Sequence, residues 1–404
     1  MTQALIIDAV RSPRGRGNDK GALRDVKPVA LLAQQLKALQ QRVGLDTAEV
    51  SDGLFGCVTQ TGDQGSNIGK LALVLAGWND GVSGMTINRY CASGLSAVQF
   101  AAFQAMANDG LAVAGGVEMM SRVPMASDKG PLTHDLDFQR ETTLVSIGLA
   151  ADAIATMQGF TREQCDAYAL ASQQRAATAV KEGRFVSVAP VTSVSGDVVL
   201  AQDETPRANT TLEGLTSLVP AFAAMGEKYG IDALLCKKYG LAQIVHVQHA
   251  GNSPAMADGA AAVLVASPNA AARLGLQPRA RILATADAST DHVLALTGAV
   301  DATQKALQRA GLSVDDIDIF EVNESFAVLM LHYMKHLNVP HEKLNVNGGA
   351  IALGHAMGST GSSLVGMALD ELERRNAKRA VVAICGAAGV AVAMVIERVG
   401  TTSA

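Results

Sequence analysis

The sequence predicts an α/β protein whose second half repeats the element order of its first. Three observations carry this. Short apolar runs alternate with longer periodic or Ala-rich segments of helical length. Glycine is abundant, 39 of 404 residues, while aromatics make up only 4 %, a mix suited to close helix–sheet packing and glycine-built loops. An Asn, a short apolar entry and a Gly-rich turn lead twice into an Ala/Ser-rich helix and then a Gly-bearing strand, once from Asn88 to LAVAGGVEMM and once from Asn345 or Asn347 to AVVAICGAAGV. The chain is too long for one ordinary core, and 49 % apolar against 18 % charged residues is enough to fill a large one.

In chain order, LIIDAV (Leu5–Val10) reads as a buried strand ended by Arg11-Ser12-Pro13. Pro28–Val43 is periodic and closes on Gly44, a helix with its stop signal. Leu54–Val58 is expected as a strand, Asn67–Leu75 as a helix, Met85–Asn88 as a short strand, Ser93–Asn108 as a helix and Leu111–Val117 as a buried strand. Such alternation implies a mostly parallel sheet. From Met119 to Val247 the texture is more polar and reads as a large insertion covering the sheet. One clear helix lies inside it, Thr161–Glu182, with Thr161 as N-cap and Gln164 three residues on. Gly259–Ser267 returns to a strand. Then follow strand Arg281–Ala286, helix Thr297–Ala310, strand Ile317–Val322, helix Ser325–Leu337, strand Leu344–Asn347, a helix near Ser359–Arg375, and strands Ala380–Cys385 and Ala391–Ile396. The expected division is 1–118, an inserted loop domain 119–247, a remainder of the first half at 248–277, and a second half 278–404.

A net charge of −5 offers no basic footprint for nucleic acid. The five cysteines, Cys57, Cys91, Cys165, Cys236 and Cys385, form no CxxC pair, so neither a zinc site nor a disulfide framework is indicated, and a reducing, cytoplasmic setting is expected. MTQALIIDAVRSPRG places its apolar run before its basic residues, the reverse of a signal peptide; apolar runs are short and Gly-broken, so no membrane insertion is expected; VGTTSA carries no targeting tripeptide.

Four residues concentrate the chemistry. Cys91 follows a short strand and precedes a helix; the helix N-terminus favours a thiolate there, although a lone cysteine is more often a small core residue. His355 sits among Gly348, Gly349, Gly354, Gly358 and Gly361, a turn that brings backbone close to something and holds the imidazole, the usual base for a thiol nucleophile. Cys385 ends an apolar strand and opens CGAAGVAV, where a second thiol can act as acid or base beside N–H groups able to meet an anion. Asn323 and Glu324 follow strand Ile317–Val322 at its C-terminal end, where α/β sites lie; Glu324 alone reads as a helix-start neighbour.

Taken together, these stretches resemble the thiolase family: NRYCASG (Asn88–Gly94), GGVEMMSRVPM (Gly115–Met125), NESF (Asn323–Phe326), NVNGGAIALGHAMGSTG (Asn345–Gly361) and CGAAGVAVAMVIE (Cys385–Glu397), with DETPRANTTLEGLTSLVPAF and AGNSPAMADGAAAVL between them. The resemblance covers essentially the whole chain in order. It implies the thiolase fold, two duplicated βαβ-rich halves in a layered α/β/α/β/α core with an inserted loop domain. It also implies thiolytic cleavage of 3-oxoacyl-CoA by CoA, or the reverse Claisen condensation, in fatty acid metabolism such as β-oxidation. Carried over by position, Cys91 becomes acylated, His355 takes its proton, and Cys385 protonates the leaving carbanion or abstracts the α-proton. Asn323, through a water, forms one oxyanion hole with His355; the N–H groups of Cys91 and Ala387 form the other. Ser253, Gly354 and Gly386 line the substrate and CoA path. No metal or redox cofactor is implied, coenzyme A being a substrate, and a homodimer or homotetramer is.

The chain departs from the family at a few places. Ala356 stands where Pro is usual after the histidine, Ala387-Ala388 interrupt the usual glycine run, and Pro254 stands where many members have Ser near the pantetheine. NESF in place of NEAF reads as a small change. A left-handed conformation at position 387 or 388 would be strained with Ala. Arg184, Arg207, Lys228, Lys237 and Lys238 are basic residues of the insertion, none singled out for the CoA phosphates. Two other readings compete: a condensing enzyme of the wider superfamily, which typically lacks the second cysteine, and a non-catalytic acyl-CoA-binding protein.

Overall fold

The structure, a computed structural model, describes residues 3–400. Thr401–Ala404, part of the stretch read for a targeting tripeptide, lie outside the described residues. The strands are β1 Leu5–Arg11, β2 Gly15–Arg16, β3 Val50–Gly56, β4 Met85–Ile87, β5 Leu111–Met119, β6 Val191–Thr192, β7 Val198–Leu200, β8 Ala257–Ala266, β9 Ala280–Ser289, β10 Ile319–Val322, β11 Arg379–Cys385 and β12 Val390–Arg398. Ten of them form one sheet in the order β10-β11-β12-β9-β1-β8-β5-β3-β4, with β2 on β8; β6 and β7 make a separate ribbon.

The strand order is the same in both halves. Counting within each half, the first strand neighbours the fifth, then come the fourth, second and third. The first half runs β1-β8-β5-β3-β4. The second runs β9-β12-β11-β10, with Leu344 bridging Phe320 in parallel where a third strand would lie. Directions also match: β3/β4, β3/β5 and β10/β11 are parallel, while β8 and β12 run antiparallel to both neighbours. The sheet is therefore mixed, not mostly parallel as expected. β12 follows β11 after four residues, Gly386–Gly389, too few for the crossover that a parallel return needs. The two halves join where β1 pairs β9 through Leu5↔Arg281 and Ile6↔Ala280.

Side-chain alternation builds the layers. In β5 and β8, Ala112, Ala114, Val263 and Val265 face one core, and Val113, Val117, Ala262 and Leu264 face another with helices Pro28–Val43 and Ile68–Ala76. In β11 and β12, Val382, Ile384, Val392 and Met394 share the first core, while Val381, Ala383, Ala393 and Val395 turn to helices Gly298–Ala310 and Ala327–Leu337. Between the half-sheets lie helices Ser93–Asn108 and Met357–Arg374, the second buried at every position from Met357 to Leu372. With no solvent face, this helix packs closely through small residues, Gly358, Gly361 and Gly366 among them, and its buried hydroxyls bond back to the backbone, as Ser362 Oγ and Ser363 Oγ do to Ser359 O.

Most elements stand where periodicity put them, and Thr161 and Gln164 form the expected capping box on helix Arg162–Lys181. Three readings need correction. The strand read at Leu54–Val58 is Val50–Gly56; the Asp52 carboxylate inside it is satisfied locally, accepting from Gly53 N. Leu344–Asn347 is a single bridge, because Asn345 turns left-handed (φ 46°) and spends its side chain on Val322. The 119–247 region holds more helix than the one expected, including Ile147–Gln158 and Ile231–Tyr239. No single described helix is long and apolar enough to cross a membrane.

Candidate active site

Cys91 stands on a sharp elbow between β4 and helix Ser93–Asn108, one residue before the N-cap Ala92. Tyr90 takes the left-handed conformation (φ 49°). Asn88 holds that turn, accepting from Tyr90 N at 2.8 Å and donating Nδ2–H to Val58 O at 3.0 Å. Ser93 Oγ accepts from Arg89 N at 2.8 Å. A strained residue fixed on both sides aims its neighbour.

His355 follows Gly354, whose φ of +85° few other residues adopt, and its N–H donates to Ala255 O at 2.7 Å. The ring is buried. Nδ1 lies 2.9 Å from Thr360 Oγ1, and that hydroxyl donates its own hydrogen to Ala356 O at 3.0 Å. Thr360 can therefore only accept from the ring, so Nδ1 carries the proton and Nε2 presents a lone pair. Nε2 has no hydrogen-bond partner. Burial, with the charge of Arg14 second, holds the imidazole pKa down to about 3, so the ring is neutral. Arg14 is itself buried, pushed down to about 9, and donates Nη1–H to Ser359 Oγ at 3.1 Å.

Cys385 and Asn323 end the adjacent parallel strands β11 and β10, and Asn323 N continues the ladder to Ala383 O at 2.9 Å. Both are buried. Asn323 Nδ2 donates to Ser325 Oγ at 2.8 Å and Cys385 Sγ to the same oxygen at 3.2 Å. Asn323 Oδ1 has no partner. Beyond Cys385, Ala388 is left-handed (φ 55°, ψ 25°), the strain that Ala in the glycine run raised; Ala387 opens the same short turn, and Gly389 follows at φ +84°.

The loops meet by close backbone approach. A Cβ on Gly94 would sit 2.8 Å from Gly358 O, and one on Gly386 3.1 Å from Tyr90 Cβ and 3.2 Å from Arg89 O. The His355 turn and the CGAAG turn thus both abut the Cys91 elbow. Cys91 keeps partial exposure, yet its thiol is pushed up to about 12, by burial first and then by the charges of Cys385 and Glu118. The helix N-terminus does not lower it as expected: Cys91 precedes the N-cap, and desolvation beside two acidic groups outweighs the dipole. Cys385 is likewise pushed up by burial, to about 11, with Ser325 pulling the other way. Both thiols rest protonated, and the imidazole is neutral.

A sequence profile of the thiolase N-terminal domain matches residues 4–230, and one of the thiolase C-terminal domain matches 276–398. The chain belongs to the thiolase family. It is 38 % identical over 423 aligned residues to the 3-oxoadipyl-CoA/3-oxo-5,6-dehydrosuberyl-CoA thiolase of Escherichia coli (strain K12), covering 99 % of this chain and all of that one. It is 37 % identical over 413 residues to a 3-ketoacyl-CoA thiolase of Aliivibrio fischeri, covering 98 % and 100 %. A 3-ketoacyl-CoA thiolase of Shewanella frigidimarina is 38 % identical over 416 residues, 99 % and 100 % covered.

This thiolase carries two carboxylates whose importance sequence reasoning missed. Glu118 of GGVEMM is fully buried and accepts from Val58 N (2.9 Å), Thr59 N (3.1 Å), Gln64 Nε2 (2.7 Å) and Gly358 N (3.0 Å). It pins the His355 turn to the loop after β3. Glu324, read as a helix-start neighbour, instead accepts from Tyr168 Oη (2.9 Å), Ser172 Oγ (2.7 Å) and Ile351 N (3.0 Å), tying helix Arg162–Lys181 to the glycine loop. An acidic residue inside an apolar strand was the available signal for Glu118: a buried carboxylate needs several donors. Ser325 is no small change, since its hydroxyl lies between Asn323 and Cys385.

Ser253 donates its hydroxyl to His249 O at 2.7 Å, on the segment that ends beside His355. Arg184 is engaged by Glu182 and Asn347. Lys228 and Lys238 lie over the rings of Tyr229 and Tyr239. Among the described residues no three His, Cys, Asp or Glu side chains are placed to hold a metal ion.

Proposed function

We propose that this thiolase cleaves 3-oxoacyl-CoA with CoA, or runs the reverse Claisen condensation, through an acyl group carried on Cys91. The observation that carries the reading is the neutral His355, its proton fixed on Nδ1 and its Nε2 lone pair unpartnered, in a turn built against the Cys91 elbow. In cleavage, His355 Nε2 takes the Cys91 proton as sulfur attacks the ketone carbon. The Cα–Cβ bond breaks, and the departing acetyl-CoA carbanion takes the Cys385 proton. An incoming CoA thiol returns a proton to Cys385 and attacks the acyl-Cys91 thioester; Cys91 leaves and recovers its proton from His355. Every proton lost is regained, and no resident cofactor or metal is required. Asn323 with His355, and the N–H groups of Cys91 and Ala387, are the proposed oxyanion donors, and Ser253, Gly354 and Gly386 the proposed substrate contacts.

The reading extends to context. Residues 119–247 are assigned as the covering domain between 1–118 and 248–277, with 278–404 as the second half; the Tyr168 and Ser172 contacts to Glu324, beside Asn323, support the covering role. A homodimer or homotetramer is supported by the open edge of β4 with exposed Met85 and by exposed Leu71, Val74 and Leu75 on the neighbouring helix. A cytoplasmic place in the breakdown of 3-oxoacyl-CoA, as in β-oxidation, completes it.

The test is cleavage of acetoacetyl-CoA by free CoA, beside a longer 3-oxoacyl-CoA, with Cys91→Ser as control. Turnover that disappears in the control is expected. A folded protein that binds acyl-CoA but turns over neither substrate would overturn the reading.

A further inference from the structure

Among the described residues, Ser325 carries the one hydroxyl that touches both the second thiol and the amide at the strand ends. Its Oγ lies 2.8 Å from Asn323 Nδ2 and 3.2 Å from Cys385 Sγ, and the residue is buried. Asn323 hydrogen-bonds it from β10 and Cys385 from β11, so the bridge spans two parallel strands whose register is fixed by Val322↔Ala383. The backbone reinforces the placement: Ser325 N donates to Asn323 O at 2.8 Å, and two residues on Ala327 N donates to Asn252 O at 2.9 Å. A side chain held this way has little freedom to leave the bridge.

We propose that Ser325 is a positioning residue that couples Asn323 to Cys385 and holds the Cys385 thiolate when that thiol has given up its proton. The inference rests on the assignment of Cys385 as the acid/base. While Cys385 is protonated, the Ser325 oxygen accepts from both S–H and the Asn323 amide, and its own hydrogen has no fixed acceptor. When the Cys385 proton passes to the α-carbon of a departing carbanion, sulfur loses its donor hydrogen and gains negative charge. The Ser325 O–H then turns to donate to that sulfur. No proton leaves Ser325; one hydrogen bond reverses its direction. In condensation the same bond stabilises the thiolate that removes the α-proton. Burial alone pushes this thiol up, and the hydroxyl opposes it.

The readout is exchange of the acetyl-CoA methyl hydrogens with deuterium from solvent, beside alkylation of Cys91 by iodoacetamide measured by peptide mass, a step with no leaving CoA for Cys385 to protonate. Loss of one hydrogen bond to the thiolate corresponds to about half to one pH unit, so Ser325→Ala should slow exchange roughly three- to tenfold at fixed pH. Alkylation of Cys91 should keep its parent rate, and Ser325→Thr, which retains the hydroxyl, should restore exchange. A Ser325→Ala exchange rate equal to the parent, a parallel fall in Cys91 alkylation, or a Thr variant as slow as the Ala variant would each overturn the proposal. Cys385→Ala separates this from the underlying assignment: exchange is expected to vanish, and exchange at the parent rate there would remove Cys385 as the acid/base whatever Ser325 does.

Discussion

Thr360 fixes which nitrogen of His355 carries the proton. The ring gives its Nδ1 hydrogen to Thr360 Oγ1 across 2.9 Å, because the threonine hydrogen is already committed to Ala356 O. Replacement by Val keeps the volume and removes the acceptor, freeing the imidazole to rotate or change tautomer. Thr360→Val should lower kcat/KM on the order of 10- to 100-fold, the usual loss when a histidine's orienting partner goes, while Thr360→Ser stays near the parent. Unchanged kinetics in Thr360→Val would mean the turn alone orients the ring.

The pH dependence should lack a familiar feature. A solvent-exposed histidine base would lose activity as pH falls through about 6.5. His355 is held down to about 3 by burial and Arg14, so it stays neutral and able to accept a proton throughout that range. A kcat/KM profile is expected to show no acid limb from this residue near neutrality. An acid limb near that value that disappears in a His355 variant would show the imidazole to be far better solvated than its burial indicates.

Ala388 stores strain that can be released. Its φ of 55° is a conformation L-residues pay about 1–2 kcal/mol to adopt and glycine does not. Glycine's added freedom in the unfolded chain offsets part of the gain. Ala388→Gly should therefore stabilise the protein by about 0.5–1 kcal/mol, measured by denaturant or thermal unfolding. A destabilised variant would mean the Ala388 methyl makes a contact worth more than the strain.

His246 clamps the covering region in a pH-dependent way. Its Nδ1 lies 2.8 Å from Asp152 Oδ2 and its Nε2 3.0 Å from Asp232 Oδ2, so both nitrogens must be protonated to donate. The Asp152 hydrogen bond raises its pKa to about 8 against burial, with Asp232 adding to the rise. A folded value above the unfolded one, about 6.5, gives a contribution fully present below the unfolded value and lost as pH rises through about 8. Helices Ile147–Gln158 and Ile231–Tyr239 should loosen above that pH. Hydrogen exchange in Ile231–Tyr239, corrected for intrinsic pH dependence, should increase there in the parent and be already raised and flat in His246→Gln. Identical protection on both sides of pH 8 in the parent would exclude the clamp.

The four side chains proposed to react stood out in the sequence because each sits at a strand end or turn marked by glycine or by a change of period. Cys91, His355, Cys385 and Asn323 all carry such marks. Strand direction was not legible, since an apolar run reads the same whether its neighbours are parallel or antiparallel; only the four residues between β11 and β12 hinted at a return. The supporting carboxylates were hidden for a different reason. Glu118 and Glu324 work through partners 21 to 240 residues away, including Ile351 N and Gly358 N, and no local pattern announces such partners. Ser325 looked like an ordinary substitution until its oxygen fell between two strand ends. The Cys91 environment was misjudged because the helix dipole is a local signal and desolvation is a tertiary one.

Helices Ser93–Asn108 and Met357–Arg374 lie between the two half-sheets and draw their cover from both. Unravelling either half would expose the other's innermost helix to water along nearly its whole length. The repeat visible in strand order is therefore not a unit of melting. Calorimetry should find one transition with equal calorimetric and van't Hoff enthalpies for the single chain, and fragments cut between residues 277 and 278 should be unstructured apart and regain order only when mixed.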